Sequence, residues 1–414
     1  MSDANEVFST SDERVSAAIG KLRTLELCDH CLGRLVGKIG HGYSNDERGH
    51  IIRSEMKVPP LPDGKKCHIC EDLFEKTGQM ALAVSRKLSE IEYGAFSVGS
   101  RYDPALIDRE ETLWAECGNE FAEPIKGEVN REVGKRVEKI TGRRVDTKSP
   151  DVTAIIDVNF FEVDLEIHSL FIYGRYRKFD RTLPQTRWPC KKCQGKGCEH
   201  CGGTGKMYQE SVEELIRPEF MRAAGSAETA MHGMGREDID ARMLGNGRPF
   251  VLELKRPVKR TLDLDALAEK ANAATKDRVE IIGLRTSSKE EVRAIKDAES
   301  EKSYRVVVEF PATVEPTKLI EAVGSLRQSR IEQRTPNRVS HRRSDLVRSR
   351  SVFDAEVEQL EGTRATIRVR AASGTYIKEL MNGDEGRTSP SLAGLLGTKV
   401  SVVQLDVIGI HDKG

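Results

Sequence analysis

The sequence predicts an α+β fold in two or three domains, with a mixed β-sheet in the C-terminal half and an α/β region in the N-terminal half. The chain has 414 residues, more than the ~100–200 residues of one ordinary domain. Within residues 248–410, strand patterns are separated in some places by helical patterns and in others by short turns, which indicates a mixed sheet. Cys-x-x-Cys pairs adjoin the amphipathic segments and predict metal-stabilised loops.

The N-terminal half is predicted to begin with two amphipathic helices. Residues 11–26 and 71–91 both place apolar side chains along one helical face, and a Cys-x-x-Cys pair adjoins each of them. Apolar residues spaced four apart from Ile125 to Val137 predict a long helix at 123–141. The other elements predicted before residue 180 are a strand at 96–101, a helix near 104–117 and strands at 152–159 and 162–174.

The C-terminal half is predicted to alternate strands and helices after a helix at 211–224. Its strands are predicted near residues 248–255, 278–284, 304–310, 351–358, 364–371 and 400–409. Its helices are predicted near residues 263–274, 288–299, 316–326 and 389–396. Some of these strands follow one another through short turns, so the sheet is expected to contain antiparallel as well as parallel pairs.

Eight of the nine cysteines form two quartets, each made of two Cys-x-x-Cys pairs. The first quartet contains Cys28, Cys31, Cys67 and Cys70, and the second contains Cys190, Cys193, Cys198 and Cys201. Four thiolates are a usual ligand set for zinc and leave no coordination position open for catalysis. The sequence therefore predicts two structural zinc ions, with Cys117 as a separate buried residue.

Charge is balanced over the whole chain but not within it. The 66 basic and 66 acidic residues cancel, so total charge does not indicate a nucleic-acid partner. Residues 327–350, here called the arginine strip, contain eight arginines, one Glu and one Asp, and the local charge is 8 − 2 = +6. Arginine favours bidentate contacts to phosphate, so Arg334 and Arg338 are predicted to bind a phosphate backbone.

Hydropathy predicts a cytoplasmic protein. No apolar run approaches the ~18–20 residues that a membrane-spanning helix needs. The first six residues lack the basic region and apolar run of a secretory leader. We therefore expect no membrane partner, and we expect the chain to act as a monomer.

A polar, glycine-flanked stretch presents a carboxylate in the form Gly235-Arg236-x-Asp238. Alone this motif is weak, because an Asp in such a loop usually serves a turn. Three later segments accompany it: Lys302-Ser303-Tyr304, the run from Gln333 to Arg343, and the segment Ser-Gly-Thr-Tyr-Ile-Lys-Glu-Leu at 373–380. With these segments the chain resembles pseudouridine synthases, specifically the archaeal family that isomerises uridines 54 and 55 in the T-arm of tRNA.

The resemblance implies that Asp238 is the catalytic carboxylate. It would act as nucleophile or electrostatic stabiliser at the sugar carbon, and Asp240 lies outside the motif. Arg236 would support the catalytic loop or occupy the space left by the flipped nucleotide. Tyr304 resembles the family's active-site tyrosine, which stacks on the uracil. The isomerisation involves no redox change, so no organic cofactor is expected.

The segment around Lys378 resembles the Gly-Thr-Tyr-Ile-Arg segment of the bacterial tRNA pseudouridine-55 synthases. Lys378 stands where that family has arginine, and the resemblance implies that it pairs with Asp238 and keeps it ionised. Tyr376 and Ile377 would form walls of the uracil pocket.

The N-terminal layout resembles the THUMP domain, an RNA-binding module of several tRNA-modifying enzymes. The resemblance implies a zinc-containing THUMP-like domain at 1–185, a zinc knuckle at 186–208 and the pseudouridine synthase core at 209–414. The partner would be tRNA, contacted at the T-arm and elbow.

Three other functions stay open on the sequence. The second quartet also resembles the zinc region of Hsp40 chaperones, although further repeats and an HPD-bearing J domain are missing. A THUMP-type methyltransferase or thiolation enzyme would need a glycine-rich nucleotide-binding loop, which is missing too. A zinc-stabilised tRNA-binding protein without catalysis is the third.

Overall fold

The computed structural model describes residues 7–22, 26–342 and 344–412, and it does not describe the side chains of 341 and 342. Part of the predicted helix at 11–26, and Arg343 of the arginine strip, therefore lie outside the described residues. The chain forms two compact units. Unit 1 comprises Met1–His168 and Arg256–Arg260, and unit 2 comprises Ser169–Lys255 and Thr261–Gly414.

Unit 1 is an α/β unit with its own apolar core. Its helices are α1 (Glu13–Ile19), α2 (Asp29–Gly33), α3 (Asn45–Met56), α4 (Thr77–Leu88), α5 (Pro104–Cys117) and α6 (Ile125–Thr141). Its strands are β1 (Ala95–Arg101), β2 (Arg144–Val145), β3 (Val152–Asp157) and β4 (Val163–Ile167), in the sheet order β2-β1-β3-β4. β1 is parallel to β2 and β3, whereas β4 is antiparallel to β3.

Helix α6 shows why the periodic segments of unit 1 form helices. Ile125, Val129, Val133 and Val137 lie on one face and are fully buried in the core. The helix ends at Gly142, whose φ of 67° places the backbone in the left-handed region that glycine adopts without strain.

Unit 2 is built around a ten-stranded mixed sheet. Its strands are β5 (Leu170–Lys178), β6 (Glu228–Gly233), β7 (Arg242–Lys255), β8 (Val279–Ser287), β9 (Glu301–Glu309), β10 (Ser329–Arg334), β11 (Val347–Glu361), β12 (Arg364–Ala371), β13 (Thr388–Ser389) and β14 (Ser401–His411). The order is β13-β10-β11-β12-β9-β14-β7-β5-β8, and β6 pairs with β7 outside this path. The β14–β7 pair is parallel, while β9 is antiparallel to both of its neighbours. The predicted α+β class with a mixed sheet is confirmed.

Six helices accompany this sheet among the described residues. They are α7 (Val212–Ala224), α8 (Leu264–Thr275), α9 (Lys289–Asp297), α10 (Pro316–Leu326), α11 (Ile377–Asn382) and α12 (Leu392–Leu396). One apolar core joins the buried faces of the helices and the sheet. None of the helices in the part of the chain that the structure describes is long and apolar enough to cross a membrane.

Several predicted elements need correction. The predicted strand at 162–174 is two strands, because the chain leaves β4 after Ile167 and enters β5 at Leu170 in the other sheet. The predicted helix at 11–26 is only Glu13–Ile19 among the described residues. Helices α3 and α11 and strands β6, β10 and β13 have no counterpart in the prediction.

Candidate active site

A cleft of about 470 Å³ opens in unit 2. This volume lies within the ~300–1,000 Å³ range that is usual for ligand sites. It is bordered by the loop between β6 and β7, by strand β9, by the turn around Arg338 and by the segment that leads into α11. The cleft therefore collects side chains from parts of the sequence that are far apart.

The loop between β6 and β7 has a fixed backbone. Gly235 has φ +68°, a left-handed conformation that strains any other residue. Its carbonyl accepts a hydrogen bond from Gln185 Nε2 (3.0 Å), and the carbonyl of Met234 accepts one from Arg248 Nη1 (2.7 Å). Asp238 is thus presented on a loop whose backbone is held by the buried Arg248 and the partly buried Gln185.

Two cations flank the carboxylate of Asp238. Arg338 Nη1 donates a hydrogen bond to Asp238 Oδ1 (3.1 Å), and Lys378 Nζ lies 3.6 Å from Asp238 Oδ2. Lys378 hydrogen-bonds the two oxygens of Asp240 at 2.9 and 2.7 Å instead. Asp238 is 31% exposed and Asp240 is 67% exposed. The implied pairing of Lys378 with Asp238 is therefore a close approach, and the direct hydrogen bond to Asp238 comes from Arg338.

Lys378 changes the pKa of Asp240. Burial opposes ionisation of Asp240, but the hydrogen bond and charge of Lys378 outweigh it and lower the pKa of Asp240. Asp238 and Asp240 are therefore both positioned by cations, and Lys378 is shared between these two carboxylates.

Arg338 has a second acidic partner. Its Nε donates to Glu379 Oε1 (2.6 Å), and Glu379 is 3% exposed on α11. Burial opposes charge on Arg338, but the hydrogen bond to Glu379 and the charges of Glu379 and Asp238 raise its pKa. From the sequence we predicted a phosphate contact for Arg338, whereas in the structure its guanidinium bridges the cleft carboxylate and α11.

Tyr304 and Lys302 lie on the central strand β9 and face the cleft together, because residues two apart on a strand share a face. Burial raises the pKa of Tyr304 to about 12, so its hydroxyl stays protonated near neutrality. Burial, and secondarily the charge of Arg248, lowers the pKa of Lys302 to about 8. The sequence segment Lys302-Ser303-Tyr304 predicted a role for Tyr304 and none for Lys302.

The other predicted site residues divide into two groups. Arg236, Tyr376 and Ile377 line the cleft with Asp238. Tyr376 is fixed through its backbone, since Gln333 Nε2 donates to the Tyr376 carbonyl (2.9 Å) and Gln333 Oε1 accepts from its N–H (2.9 Å). Arg334 lies apart on β10, where it forms an ion pair with Asp345 (2.6 Å).

A buried polar cluster beneath the loop was missed by the sequence analysis. Glu237 accepts from Arg248 Nε (2.8 Å) and from the hydroxyl of Tyr176 (2.9 Å), and Lys178 Nζ lies 3.8 Å away. The side chains of Glu237, Arg248 and Lys178 are each at most 1% exposed. Burial lowers the pKa of Lys178. The available sign of this cluster was Lys178, which shares the buried face of β5 with Ile172 and Tyr176, since a charged residue in such a position is rarely buried unless it is paired.

Both cysteine quartets assemble in space. In each, the four sulfurs all lie within 4.8 Å of one another. Zinc–sulfur bonds of ~2.3 Å in a tetrahedron require sulfurs about 3.8 Å apart. The measured separations are 3.6 Å for Cys28–Cys70, 3.9 Å for Cys190–Cys198 and 3.8 Å for Cys198–Cys201. The donor sets therefore fit a metal ion of the size and geometry of zinc.

Family models match both units. The model described as "Pus10, C-terminal" matches residues 171–411, which include every cleft residue named above. The model described as "Pus10 THUMP domain, archaeal" matches residues 80–157, from α4 to β3.

Curated relatives align with nearly the whole chain. The tRNA pseudouridine synthase Pus10 of Methanothrix thermoacetophila is 42% identical, with 97% of this chain and 95% of the relative covered. The proteins of the same name from Halorubrum lacusprofundi and Methanopyrus kandleri are 41% and 39% identical. They cover 93% and 95% of this chain and 93% and 97% of their own lengths, respectively.

Among solved structures, a crystal structure of a Cbf5–Nop10–Gar1 complex aligns with 58% of this chain and 50% of its own chain. The TM-score is 0.32 and the sequence identity is 15%.

Proposed function

This chain belongs to the Pus10 family of tRNA pseudouridine synthases, and we propose that it isomerises uridine 54, uridine 55 or both in the T-arm, with Asp238 as the catalytic carboxylate. The observation that carries this proposal is the position of Asp238 in a cleft, between Arg338 and Lys378 and together with Tyr304. Family membership argues against the alternatives of a non-catalytic tRNA-binding protein, a different THUMP-type enzyme and a chaperone.

The isomerisation places modest chemical demands on the protein. The bond between N1 and C1′ of uridine breaks, the base turns, and C5 forms a new bond to C1′. C5 loses a proton and N1 gains one, so neither an oxidant nor an external proton is consumed. One ionised carboxylate near C1′ suffices as nucleophile or electrostatic partner, provided that water is kept away.

The cleft residues would divide this work. Arg338 and Lys378 would orient the carboxylate of Asp238, because one donates a hydrogen bond to it and the other lies within ion-pair distance. Tyr304 would lie against the uracil as a protonated phenol, and Tyr376 and Ile377 would form the pocket walls. Glu237 and Arg248 would position Asp238, because the buried Arg248 hydrogen-bonds both Glu237 and the carbonyl of Met234 within the loop.

The N-terminal unit would bind the tRNA outside the cleft. Residues 80–157 match the archaeal Pus10 THUMP model, and THUMP-like modules are appended to tRNA-modifying enzymes. For the predicted division into 1–185, 186–208 and 209–414, we propose an earlier first boundary, at His168, because β5 (Leu170–Lys178) pairs with β7 and β8 in the sheet of unit 2. The zinc knuckle would stay at 186–208, and the catalytic region would include β5. Both cysteine quartets would hold structural zinc, since four sulfur donors leave no open coordination position.

Base-resolved mapping of pseudouridine tests the proposal. Unmodified tRNA transcript is incubated with the purified protein, and every uridine is examined. We expect pseudouridine at position 54, position 55 or both. A transcript modified only elsewhere would contradict the T-arm assignment, and an unmodified transcript would contradict the proposed activity.

Arg334 is expected to contact the RNA backbone. It is 53% exposed, and its partner Asp345 also pairs with Arg387 (2.9 Å), so its removal leaves no unpaired carboxylate. Arg334→Gln should lower by about one unit the slope of log affinity for tRNA against log salt concentration. Filter binding over a salt series measures this slope. Arg364→Gln, at an equally exposed and ion-paired arginine on β12, is the matched control and should leave the slope unchanged.

Lys302 is expected to make tRNA binding depend on pH. With its pKa lowered from 10.5 to about 8, it is cationic below that pH and neutral above it. Affinity for the polyanionic substrate should therefore fall as pH rises through about 8. Loss of one cation at this site should lower the affinity for tRNA two- to fivefold, which corresponds to a binding free energy on the order of 0.5–1 kcal/mol.

Fluorescence anisotropy at about pH 7 and about pH 9 measures the effect. Lys302→Met should remove this part of the pH dependence, whereas Lys289→Met, at an exposed lysine on α9, should retain it. An identical pH profile in the Lys302 variant and the wild type would contradict the prediction.

A further inference from the structure

A second cavity of about 530 Å³ adjoins the catalytic cleft. Asp238, Arg338 and Lys378 line both cavities, so the two cavities adjoin at the proposed catalytic carboxylate. Away from Asp238, the second cavity is lined by Trp188, Lys191 and Tyr208. None of these three residues has a role in the chemistry proposed above.

Trp188 and Tyr208 are held at the two ends of the second cysteine quartet. The chain on either side of the quartet forms an antiparallel bridge between Pro189 and Lys206. Met207 N–H donates to the Trp188 carbonyl (2.9 Å), and Cys190 N–H donates to the Gly205 carbonyl (2.8 Å). The two rings meet edge to face, with centroids 5.6 Å apart and planes at 85°. The quartet thus fixes an aromatic pair against the cavity.

The quartet also has a rigid interior. Backbone N–H groups of Gly197 and Gly205 donate to the sulfurs of Cys193 and Cys201, both at 3.2 Å. An added Cβ at Gly205 would lie 2.3 Å from the Gly195 carbonyl oxygen, so the backbone segments around Gly195 and Gly205 are too close for any side chain at position 205. A metal-bound knuckle of this kind can hold the aromatic pair in one orientation.

The chemistry of the second cavity suits an unstacked nucleotide. Aromatic rings bind nucleobases through their faces, and an adjacent cation pairs with the phosphate. Lys191 is exposed beside the pair. Arg181, also on this cavity, donates to Asp406 (2.6 Å) and keeps a fixed position. Moreover, a uridine that reaches Asp238 must leave its stack, and the phosphodiester link draws its neighbour toward the adjoining space.

We propose that Trp188 and Tyr208, fixed by the second cysteine quartet, form a stacking platform for the nucleotide directly next to the target uridine. The proposal rests on the function assigned to Asp238, because the target must enter the adjoining cleft. Lys191 contacts the phosphate of the stacked nucleotide. The knuckle is then part of the substrate-binding surface and not only a structural element.

Tryptophan fluorescence tests the platform without relying on turnover. The chain has two tryptophans, so Trp114→Phe leaves Trp188 as the single reporter. Asp238→Asn is added to keep the RNA unreacted. A T-arm stem-loop should quench Trp188 emission in proportion to the RNA bound, since a stacked base quenches indole fluorescence. Unchanged emission at saturating RNA would overturn the proposal.

Substitutions combined with altered RNAs locate the stacked nucleotide. Trp188→Ala should weaken binding of the stem-loop roughly 5- to 150-fold, the usual range for one base stacked on one ring. Trp188→Phe keeps an aromatic ring, so its affinity for the stem-loop should stay close to that of the wild type. Both variants should retain the metal content of the wild type, which shows that the knuckle is intact.

Two further RNAs each carry a single abasic site. In one RNA it lies on the 5′ side of the target uridine, and in the other it lies on the 3′ side. With one of them, Trp188→Ala should bind as well as the wild type, because the base that stacks is already missing. An equal loss of affinity in Trp188→Ala on all RNAs, or no loss on any of them, would overturn the platform.

The two proposals can fail separately. If the platform is right and the assignment of Asp238 is wrong, RNA still quenches Trp188 emission while Asp238→Asn still forms pseudouridine. If only the platform is wrong, the pseudouridine map is as expected and quenching is missing.

Discussion

Asp238→Asn is expected to reduce pseudouridine formation below detection while tRNA binding stays within about tenfold of the wild type. The substitution keeps the shape of the side chain and its ability to accept a hydrogen bond from Arg338, but it removes the charge and the nucleophilic oxygen. If the carboxylate acts at C1′, nothing else on the loop replaces it at the same position. Quantitative pseudouridine mapping under single-turnover conditions, with binding measured in parallel, gives the result.

Asp240→Asn is the matched control. It makes the same isosteric change two residues away, at a side chain that is 67% exposed. Lys378 loses its ion pair with Asp240 but keeps an amide oxygen there as an acceptor, and it lies only 3.6 Å from Asp238, so it can pair with that carboxylate instead. We expect Asp240→Asn to retain substantial activity. Normal turnover by Asp238→Asn, or equal loss in both variants, would show that the catalytic carboxylate is assigned wrongly.

Lys378→Met should give an intermediate result. In the proposed mechanism Lys378 supports the carboxylate and does not react, and in this variant Arg338 would still donate its hydrogen bond to Asp238. Turnover should fall, but less than in Asp238→Asn.

Cys67→Ser is expected to lower the metal content from two zinc ions per chain to one and to unfold unit 1. Cys67 is fully buried, and its quartet joins the loop before α2 to the loop before α4. Structural zinc contributes on the order of 10–16 kcal/mol of apparent binding free energy in small peptides. That is comparable with the whole stability of a typical domain, about 5–15 kcal/mol. The loss of one ligand should therefore affect the entire unit.

Elemental analysis and hydrogen exchange measure the two consequences. Exchange should become fast in the peptides of unit 1. Cys117→Ser is the matched control, because Cys117 is buried in the same core but belongs to neither quartet. It should keep both metal ions and the exchange pattern of the wild type. Full metal content and slow exchange in Cys67→Ser would contradict a structural metal at the first quartet.

Elements with strong periodicity could be predicted from the sequence, while helix α3 could not. The long helix predicted at 123–141 is α6, Ile125–Thr141, because its buried positions are apolar and regularly spaced. In α3 the buried face consists of Asn45, Arg48, Gly49 and Ile52, which has no apolar period. An added Cβ at Gly49 would lie 2.0 Å from the Asp29 carbonyl oxygen. Helix α3 therefore packs on α2 through a close backbone approach at a glycine and not through a row of apolar side chains.

The arginine strip shows how a composition argument can miss tertiary contacts. Its local charge predicted phosphate contacts, and strand β10 within it was not predicted. In the structure, Arg327, Arg334 and Arg338 form ion pairs with Asp354, Asp345 and Asp238. Asp345 was part of the local count, but Asp354 and Asp238 lie outside the strip, and Asp238 is 100 positions from Arg338, so counting charges within the strip does not include them.

The sequence by itself determined the family, the α+β class and the eight cysteines of the two quartets, because these depend on residue identity and short-range spacing. Only the tertiary structure decided that Arg338 donates the hydrogen bond to Asp238, that Lys378 bonds Asp240, and that Glu237 and Arg248 hold the loop from below. These contacts depend on where β7, α11 and the turn around Arg338 lie relative to the loop between β6 and β7. Their energies depend on burial and on distances of a few ångströms, which the order of residues along the chain does not specify.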